Sequence, residues 1–243
     1  HMFLDGLEDA ETGRLMGSFA QEMADKKGYT REEMDNYAIS SLNRAKKAIE
    51  EGLLKEEIIP VTVKTRKGEV LVEDDEQPHN ANIEKIPTLR PAFAKDGTVT
   101  AANASSISDG SSALVLMRES EAEKRGLKPL ARIVAHSTQS QHPSEFTCAP
   151  VGAIQTLFQK TGWTKDDVDL YEINEAFAMV AMMPIKELGL DPDKVNIHGG
   201  ACAQGHPVGS TGSRLLVTLM HALKRYGKKK GVAALCIGGG EAT

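Results

Sequence analysis

The stretch VDLYEINEAFAMVAMMPIKELGLDPDKVNIHGG, residues 168–200, decides how this chain folds. Residues 168–173 read as a strand, 176–188 as a helix closed by Gly189, and 195–198 as the next strand. The same alternation continues on both sides. Upstream, 132–136 reads as a strand and 151–161 as a helix with Pro150 at its start and Gly162 at its end. Downstream, 208–226 reads as a helix followed by Lys228, Lys229 and Lys230, where the helix dipole favours cations, and 232–237 as the last strand. Short strands alternating with amphipathic helices make an α/β layered domain with a largely buried sheet.

The first third differs: it is polar and helical. Thr30 and Glu33 form a capping-box pattern ahead of Met34, Tyr37, Ala38, Leu42, Ala45 and Ile49, which recur at steps of three and four until Gly52. Residues 58–72 read as a hairpin around Arg66-Lys67-Gly68. Residues 73–91, acidic and carrying Pro78, Pro87 and Pro91, read as irregular loop. A run of small residues over 97–106 precedes Asp109-Gly110 and an apolar strand at 113–117.

The chain has 243 residues, enough for one or two domains, and 40% hydrophobic with 26% charged residues is ordinary for a globular protein. No run approaches the ~18 apolar residues of a membrane span. The net charge of -5, spread along the chain, argues against nucleic acid as a partner. Cys148, Cys202 and Cys236 are too few and too far apart for a disulfide framework, and no CxxC or HxxxH pair suggests a metal site. A reducing, cytoplasmic compartment is the expectation. His1-Met2 reads like a tag-cleavage scar, and an end directly after an apolar run reads like that of a fragment.

Three polar or glycine-rich junctions stand at the ends of expected strands, where α/β folds place their sites. They are Asn174-Glu175-Ala176-Phe177, then Gly199-Gly200 through Gly205-His206-Pro207, and Cys236-Ile237-Gly238-Gly239-Gly240. Singly, each has a structural explanation: a helix cap, close packing, an inert core thiol. Together they offer more. His206 precedes a helix, whose dipole disfavours imidazolium, and a neutral ring accepts a proton or donates a hydrogen bond. Glycines after Cys236 leave backbone N–H groups open to a substrate oxygen.

These junctions, in this order, resemble the asparagine–glutamate, glycine–histidine–proline and cysteine–glycine motifs of the thiolases. Phe3 to Leu7, Leu15-Met16-Gly17, Arg90-Pro91-Ala92-Phe93, Asp96 to Ala101 and Asn103-Ala104-Ser105 are also similar to thiolase sequence, so the resemblance covers essentially the whole chain. It implies a thiolase-like layered core, helices around a mixed sheet, preceded by part of an α+β loop domain. Residues 1–96 would belong to the loop domain, 97–121 to the closing strand region of the first core domain, and 122–243 to the second core domain with its last strand missing. The implied reaction is reversible Claisen condensation of two acetyl-CoA to acetoacetyl-CoA and CoA, or thiolysis of a short-chain 3-ketoacyl-CoA. CoA thioesters would be substrates, with no permanently bound cofactor, no metal and no membrane, in a homodimer or homotetramer.

The family's nucleophilic cysteine is expected in an earlier half that precedes this chain, which alone would then be inactive. The alternative is a catalytically silent CoA-binding or assembly fragment. A carrier-dependent ketosynthase fits less well, since such enzymes usually show a second histidine where Cys236 stands. By resemblance, His206 matches the activator of the nucleophile and Asn174 the residue that holds a water completing the first oxyanion hole. Cys236 matches the acid–base thiol, and the Gly238 amide a donor of the second hole. Ser105 matches a CoA contact, Phe93 and Phe177 line the pantetheine channel, and Met16 and Phe146 lie near the acyl pocket. Asn174, where one branch has histidine, favours short chains. Glu175 reads as a structural partner of the loop, and His136, His142, His198 and His221 as surface or packing residues. Gln204 departs from the family pattern, which has a small or aliphatic residue there.

Overall fold

The computed structural model describes residues 2–243. A short helix α1 (Met2–Gly6) leads to α2 (Met16–Lys27), ended by Gly28 in the left-handed region. Helix α3 (Arg31–Glu50) starts with the reciprocal cap expected of Thr30 and Glu33, each side chain bonded to the other's backbone N–H. Its Met34, Ala38, Leu42 and Ala45 are buried, the periodic face read from the sequence. The hairpin forms from β1 (Val61–Thr65) and β2 (Gly68–Val72), with Val61 opposite Val72, and all ten residues are exposed.

Residues 73–91 are more ordered than a loop. They hold α4 (Glu76–Asn80) and a 3-10 turn over Ile83–Thr88, begun by Asn82, whose side chain accepts the Glu84 N–H. Pro78 lies in the first turn of α4, where a missing N–H forfeits no helical bond, so it does not break the helix.

Two expected strands are corrected. Residues 113–117 and 132–136, on either side of α5 (Glu119–Lys124), belong to no sheet among the described residues. Val115 is 87% and Ile133 64% exposed. An apolar pattern can specify extended backbone, but a strand also needs a neighbour for its N–H and C=O groups.

From residue 139 the α/β alternation appears. Strand β3 (Gln139–Ser140) is followed by a 3-10 turn over Pro143–Cys148 that runs into α6 (Ala149–Thr161), with Pro150 in its first turn and Gly162 as its left-handed cap. Next come β4 (Leu170–Ile173) and α7 (Ala178–Leu188), closed by left-handed Gly189. Helix α7 starts two residues later than expected because Ala176 and Phe177 stay extended: the Ala176 carbonyl accepts the Ser105 N–H, and Ala104 bridges Phe177. The expected 195–198 strand shrinks to one parallel bridge of Val195 to Tyr171, since Asn196 at φ +48° turns the chain away.

A single turn, α8 (Ala201–Gln204), precedes α9 (Thr211–Arg225), which starts three residues later than expected because Pro207 to Ser210 form their own turn. Strand β5 (Gly231–Ala234) runs parallel to β4. The expected 232–237 strand divides at Leu235: β6 (Cys236–Ile237) leaves β4 and pairs antiparallel with β7 (Glu241–Ala242), which also pairs with β3. One core cluster, with Ile154, Val168, Tyr171, Ile173, Ala181 and Val232, surrounds β4 and β5. Another, with Phe19, Met34, Phe146, Phe177 and Met179, fills the space between α2, α3 and α7. No helix of the described residues is long and apolar enough to cross a membrane.

Candidate active site

The three junctions stand at one end of the molecule's parallel segments because each follows a segment running the same way. Val195, β4 and β5 lie side by side and parallel, so Gly199 to His206, Asn174 to Phe177 and Cys236 to Gly240 all leave the same end. Asn174 continues the ladder by donating its N–H to Ala234 O at 2.9 Å, which fixes its side chain at the strand end. The residue is 1% exposed. Its Nδ2 lies 3.4 Å from His206 Nε2, and its Oδ1 has no hydrogen-bond partner among the described residues.

His206 is placed from the other side by its N–H, which donates to Ser106 O at 3.1 Å, and by its Nδ1, 2.7 Å from Thr211 Oγ1. Burial, with a smaller contribution from the Arg214 cation, lowers its pKa to about 4, so the ring is neutral at pH 7. The neutrality expected from a helix terminus is therefore present, with desolvation as the main cause.

Cys236 stands where the chain leaves the parallel pair, and burial pushes its thiol up to about 12. The turn after it depends on glycine. Gly240, at φ +101°, has no room for a β-carbon against the Gln141 carbonyl. Gly238 is exposed and lies against Met16, whose Sδ would be 3.0 Å from a β-carbon there.

Glu175 is the fixed point beneath the junctions. Its buried carboxylate accepts from Tyr37 Oη (3.0 Å), Ser41 Oγ (2.7 Å), Asn196 Nδ2 (2.9 Å) and the Cys202 N–H (3.1 Å). Four donors to one carboxylate agree with the structural role read from the sequence. Gly199, at φ +81°, passes so close to α3 that a β-carbon would sit 2.6 Å from Ser41 O.

The residues assigned to substrate contact gather on the same side. Phe93 and Phe177 meet edge to face with centroids 6.4 Å apart. Phe146 and Phe177 belong to one core cluster against which Met16, Phe93 and Cys236 pack. Ser105 donates both its N–H and its hydroxyl to Ala176 O at 3.0 Å. Its turn is held by buried Asn103, which accepts from the Thr100 N–H and donates to Asp35 Oδ1 and Thr98 O.

The remaining candidates fall elsewhere. Cys202 is buried with its thiol held well above the usual range by burial and by Glu175, and Cys148 lies 3.4 Å from Met183 Sδ. His198 bonds Tyr226 Oη, His136 bonds Thr243 Oγ1 and His142 bonds Ser144 Oγ. Gln204 donates to His198 O at 3.2 Å and so ties the loop to itself. Among the described residues no group of three or more His, Cys, Asp or Glu could hold a metal ion. Sequence reasoning missed Thr211, Asn196 and Ser41 and gave Tyr37 only a core role. Tyr37 and Ser41 are separated by four residues on α3, a polar pair at helical spacing beside an apolar face, and that signal was available.

A neutral imidazole, a buried carboxamide, a high-pKa thiol and the exposed Gly238 and Gly239 are groups of the kinds that can transfer protons and stabilise an oxyanion in an α/β layered fold. The chain belongs to the thiolase family: the family model described as the thiolase N-terminal domain matches residues 1–120, and that of the thiolase C-terminal domain matches 127–243. It is 52% identical over 239 residues to the cytosolic acetyl-CoA acetyltransferase of Mus musculus, covering 97% of this chain and 60% of that protein. It is 49% identical over 240 residues to the acetyl-CoA acetyltransferase of Rhizobium meliloti, covering 98% and 61%. The crystal structure of the Bacillus anthracis acetyl-CoA acetyltransferase superposes with a TM-score of 0.93 at 46% identity, covering 97% of this chain and 60% of that one. An Ascaris suum thiolase in complex with coenzyme A gives 0.89 at 40% identity, covering 99% and 62%. The chain thus spans about 60% of the length of the relatives it matches.

Proposed function

We propose that this chain carries the acid–base and oxyanion half of an acetyl-CoA acetyltransferase, which condenses two acetyl-CoA to acetoacetyl-CoA and CoA and runs the reverse thiolysis. The observation that carries the reading is the 3.4 Å approach of the Asn174 amide, after β4, to a neutral His206, with Cys236 following the parallel neighbour β5. Its substrates are short-chain CoA thioesters, in keeping with the names of the relatives and the coenzyme A complex of a structural neighbour.

On this reading a cysteine from outside the 243 residues attacks the thioester, and His206 Nε2 takes its proton. Asn174, with a buried and unpartnered Oδ1, orients a water toward the thioester oxygen. The Gly238 N–H faces the enolate oxygen of the second thioester. Cys236 works on the α-carbon. A thiol at about 12 is protonated at neutral pH, so it is ready as the proton donor in thiolysis and must first release its proton in condensation. Ser105, Phe93 and Phe177 hold the pantetheine arm, and Met16 and Phe146 bound the acyl pocket. No permanent cofactor takes part. The domain division is 1–96, 97–121 and 122–243, the working form is a cytoplasmic homodimer or homotetramer, and neither nucleic acid nor membrane is a partner.

The test has two stages. The 243-residue chain alone should cleave acetoacetyl-CoA no faster than background, the result shared with a silent fragment. Joined behind the earlier part of a full-length thiolase, it should turn over. Cys236→Ser in that chimera should abolish carbon–carbon bond formation while acylation by acetyl-CoA survives. Equal loss of both half-reactions with the fold intact would remove the acid–base role of Cys236, and turnover by the chain alone would remove the need for an outside nucleophile.

A further inference from the structure

We infer that Thr211 fixes the tautomer of His206, holding the ring proton on Nδ1 and the lone pair on Nε2, as the centre of a one-way chain of hydrogen bonds from Asn174 to the Pro207 carbonyl. A threonine hydroxyl has one proton to give. Thr211 Oγ1 lies 2.9 Å from Pro207 O and donates to it, the backbone bond of a helical hydroxyl to the fourth residue before it. The same oxygen lies 2.7 Å from His206 Nδ1. With its proton committed, it presents only lone pairs to the ring, so Nδ1 carries the hydrogen.

The far side of the ring agrees independently. The atom 3.4 Å from Nε2 is the Asn174 amide nitrogen, which only donates. The opposite tautomer would set N–H against N–H there and take the hydroxyl proton from the Pro207 carbonyl. Thr211 is held against such a change. It is 0% exposed, its own N–H also donates to Pro207 O at 3.0 Å, and β-branching stiffens its side chain.

The two sides therefore set different properties of one base. Arg214, on the same helix, is the charged side chain whose field disfavours a second ring proton, while Thr211 decides where the first one sits. What the Nε2 lone pair does, taking the proton of a nucleophilic thiol, rests on the function proposed above. The tautomer itself does not.

The test is long-range proton–nitrogen NMR on the histidine-labelled 243-residue chain near neutral pH, with the His206 signals assigned by their absence in His206→Asn. The expected pattern is a protonated Nδ1 and a bare Nε2 in the wild type and in Thr211→Ser. In Thr211→Val it should become mixed or inverted, with the His198 signals unmoved as the control for folding. In the chimera, Thr211→Val should slow acylation by about tenfold or more with little change in KM, and Thr211→Ser should restore it. A wild-type spectrum with the proton on Nε2 overturns the inference without recourse to any variant, as does an unchanged pattern in a folded Thr211→Val. A proton on Nδ1 in a chimera that never turns over sinks the acyl-transfer reading and leaves the tautomer lock standing.

Discussion

Asn174 at the end of β4 and His206 just after α8 reach the same point, and their substitutions should differ in kind. On the proposed function Asn174 orients the water that faces the thioester oxygen, and loss of one oxyanion partner typically lowers turnover by ~10²–10³. Asn174→Ala should therefore reduce kcat strongly in the chimera and leave CoA affinity nearly unchanged, because Ser105, Phe93 and Phe177 are untouched. His206→Ala should be worse and should alone suppress alkylation of the nucleophilic cysteine by iodoacetamide near neutral pH. Near-normal kcat with weak CoA binding in both variants would return these residues to a binding role. At this scale the sequence was readable where glycine and polar residues interrupt an apolar strand, which is why Asn174, His206, Cys236 and Glu175 stood out. Thr211 did not, because its role depends on the helix starting at 211 rather than 208. An ordinary hydroxyl inside an amphipathic helix sends no signal of its own.

Strand β4 and helix α9 share a buried ionisable pair with its own consequence. Glu172 is 2% exposed, Arg214 Nη1 lies 3.6 Å from its Oε2, and burial raises its pKa to about 8 despite that cation. A carboxyl with a raised folded-state pKa stabilises fully below its unfolded value near 4.5 and loses that contribution as pH rises to about 8. Glu172→Gln should remove this slope. Urea midpoints of the two proteins should stay close at pH 5 and separate in favour of the variant toward pH 8, by on the order of 1–3 kcal/mol. Parallel midpoints across that range would show an ionised Glu172 throughout. The helices were legible because caps and 3.6-residue periodicity are local: Thr30 with Glu33, Pro150 with Gly162, and Gly189 each marked a true boundary. Strands depend on distant neighbours, so 232–237 could not be seen to divide at Leu235, nor 113–117 and 132–136 to lack partners.

Over the whole molecule, acid and base limbs of stability come from different groups. His198 and His206, both lowered to about 4 chiefly by burial, contribute stability present above the unfolded value of 6.5 and lost as pH falls toward 4. Glu172, with the raised carboxyls of Glu57 and Asp75, acts in the opposite sense, so these groups lower stability toward both acid and alkaline pH. The extended segments set a second global property. Val115, Leu116, Leu130, Ile133 and Val134 are exposed on backbone without sheet partners, the arrangement that recruits strands from other molecules. The 243-residue chain should scatter light increasingly on standing at micromolar concentration, and the double variant Val115→Lys, Ile133→Lys should suppress this while keeping its circular dichroism. Unchanged scattering in that variant would move the sticky surface elsewhere, the exposed valine hairpin being the next candidate.

The carboxylate of Glu175 also sets an order in time. It joins Tyr37 and Ser41 to Asn196 and Cys202, closing a loop of well over a hundred residues with a single group. Closure of long loops costs entropy before any contact offsets it, so such junctions form late. Helix α3, with its own cap, is free to form early, yet its polar face stays unanswered until the glycine loop near 200 arrives. The candidate site therefore depends on a long-range closure that α3, capped within its own first turn, does not need.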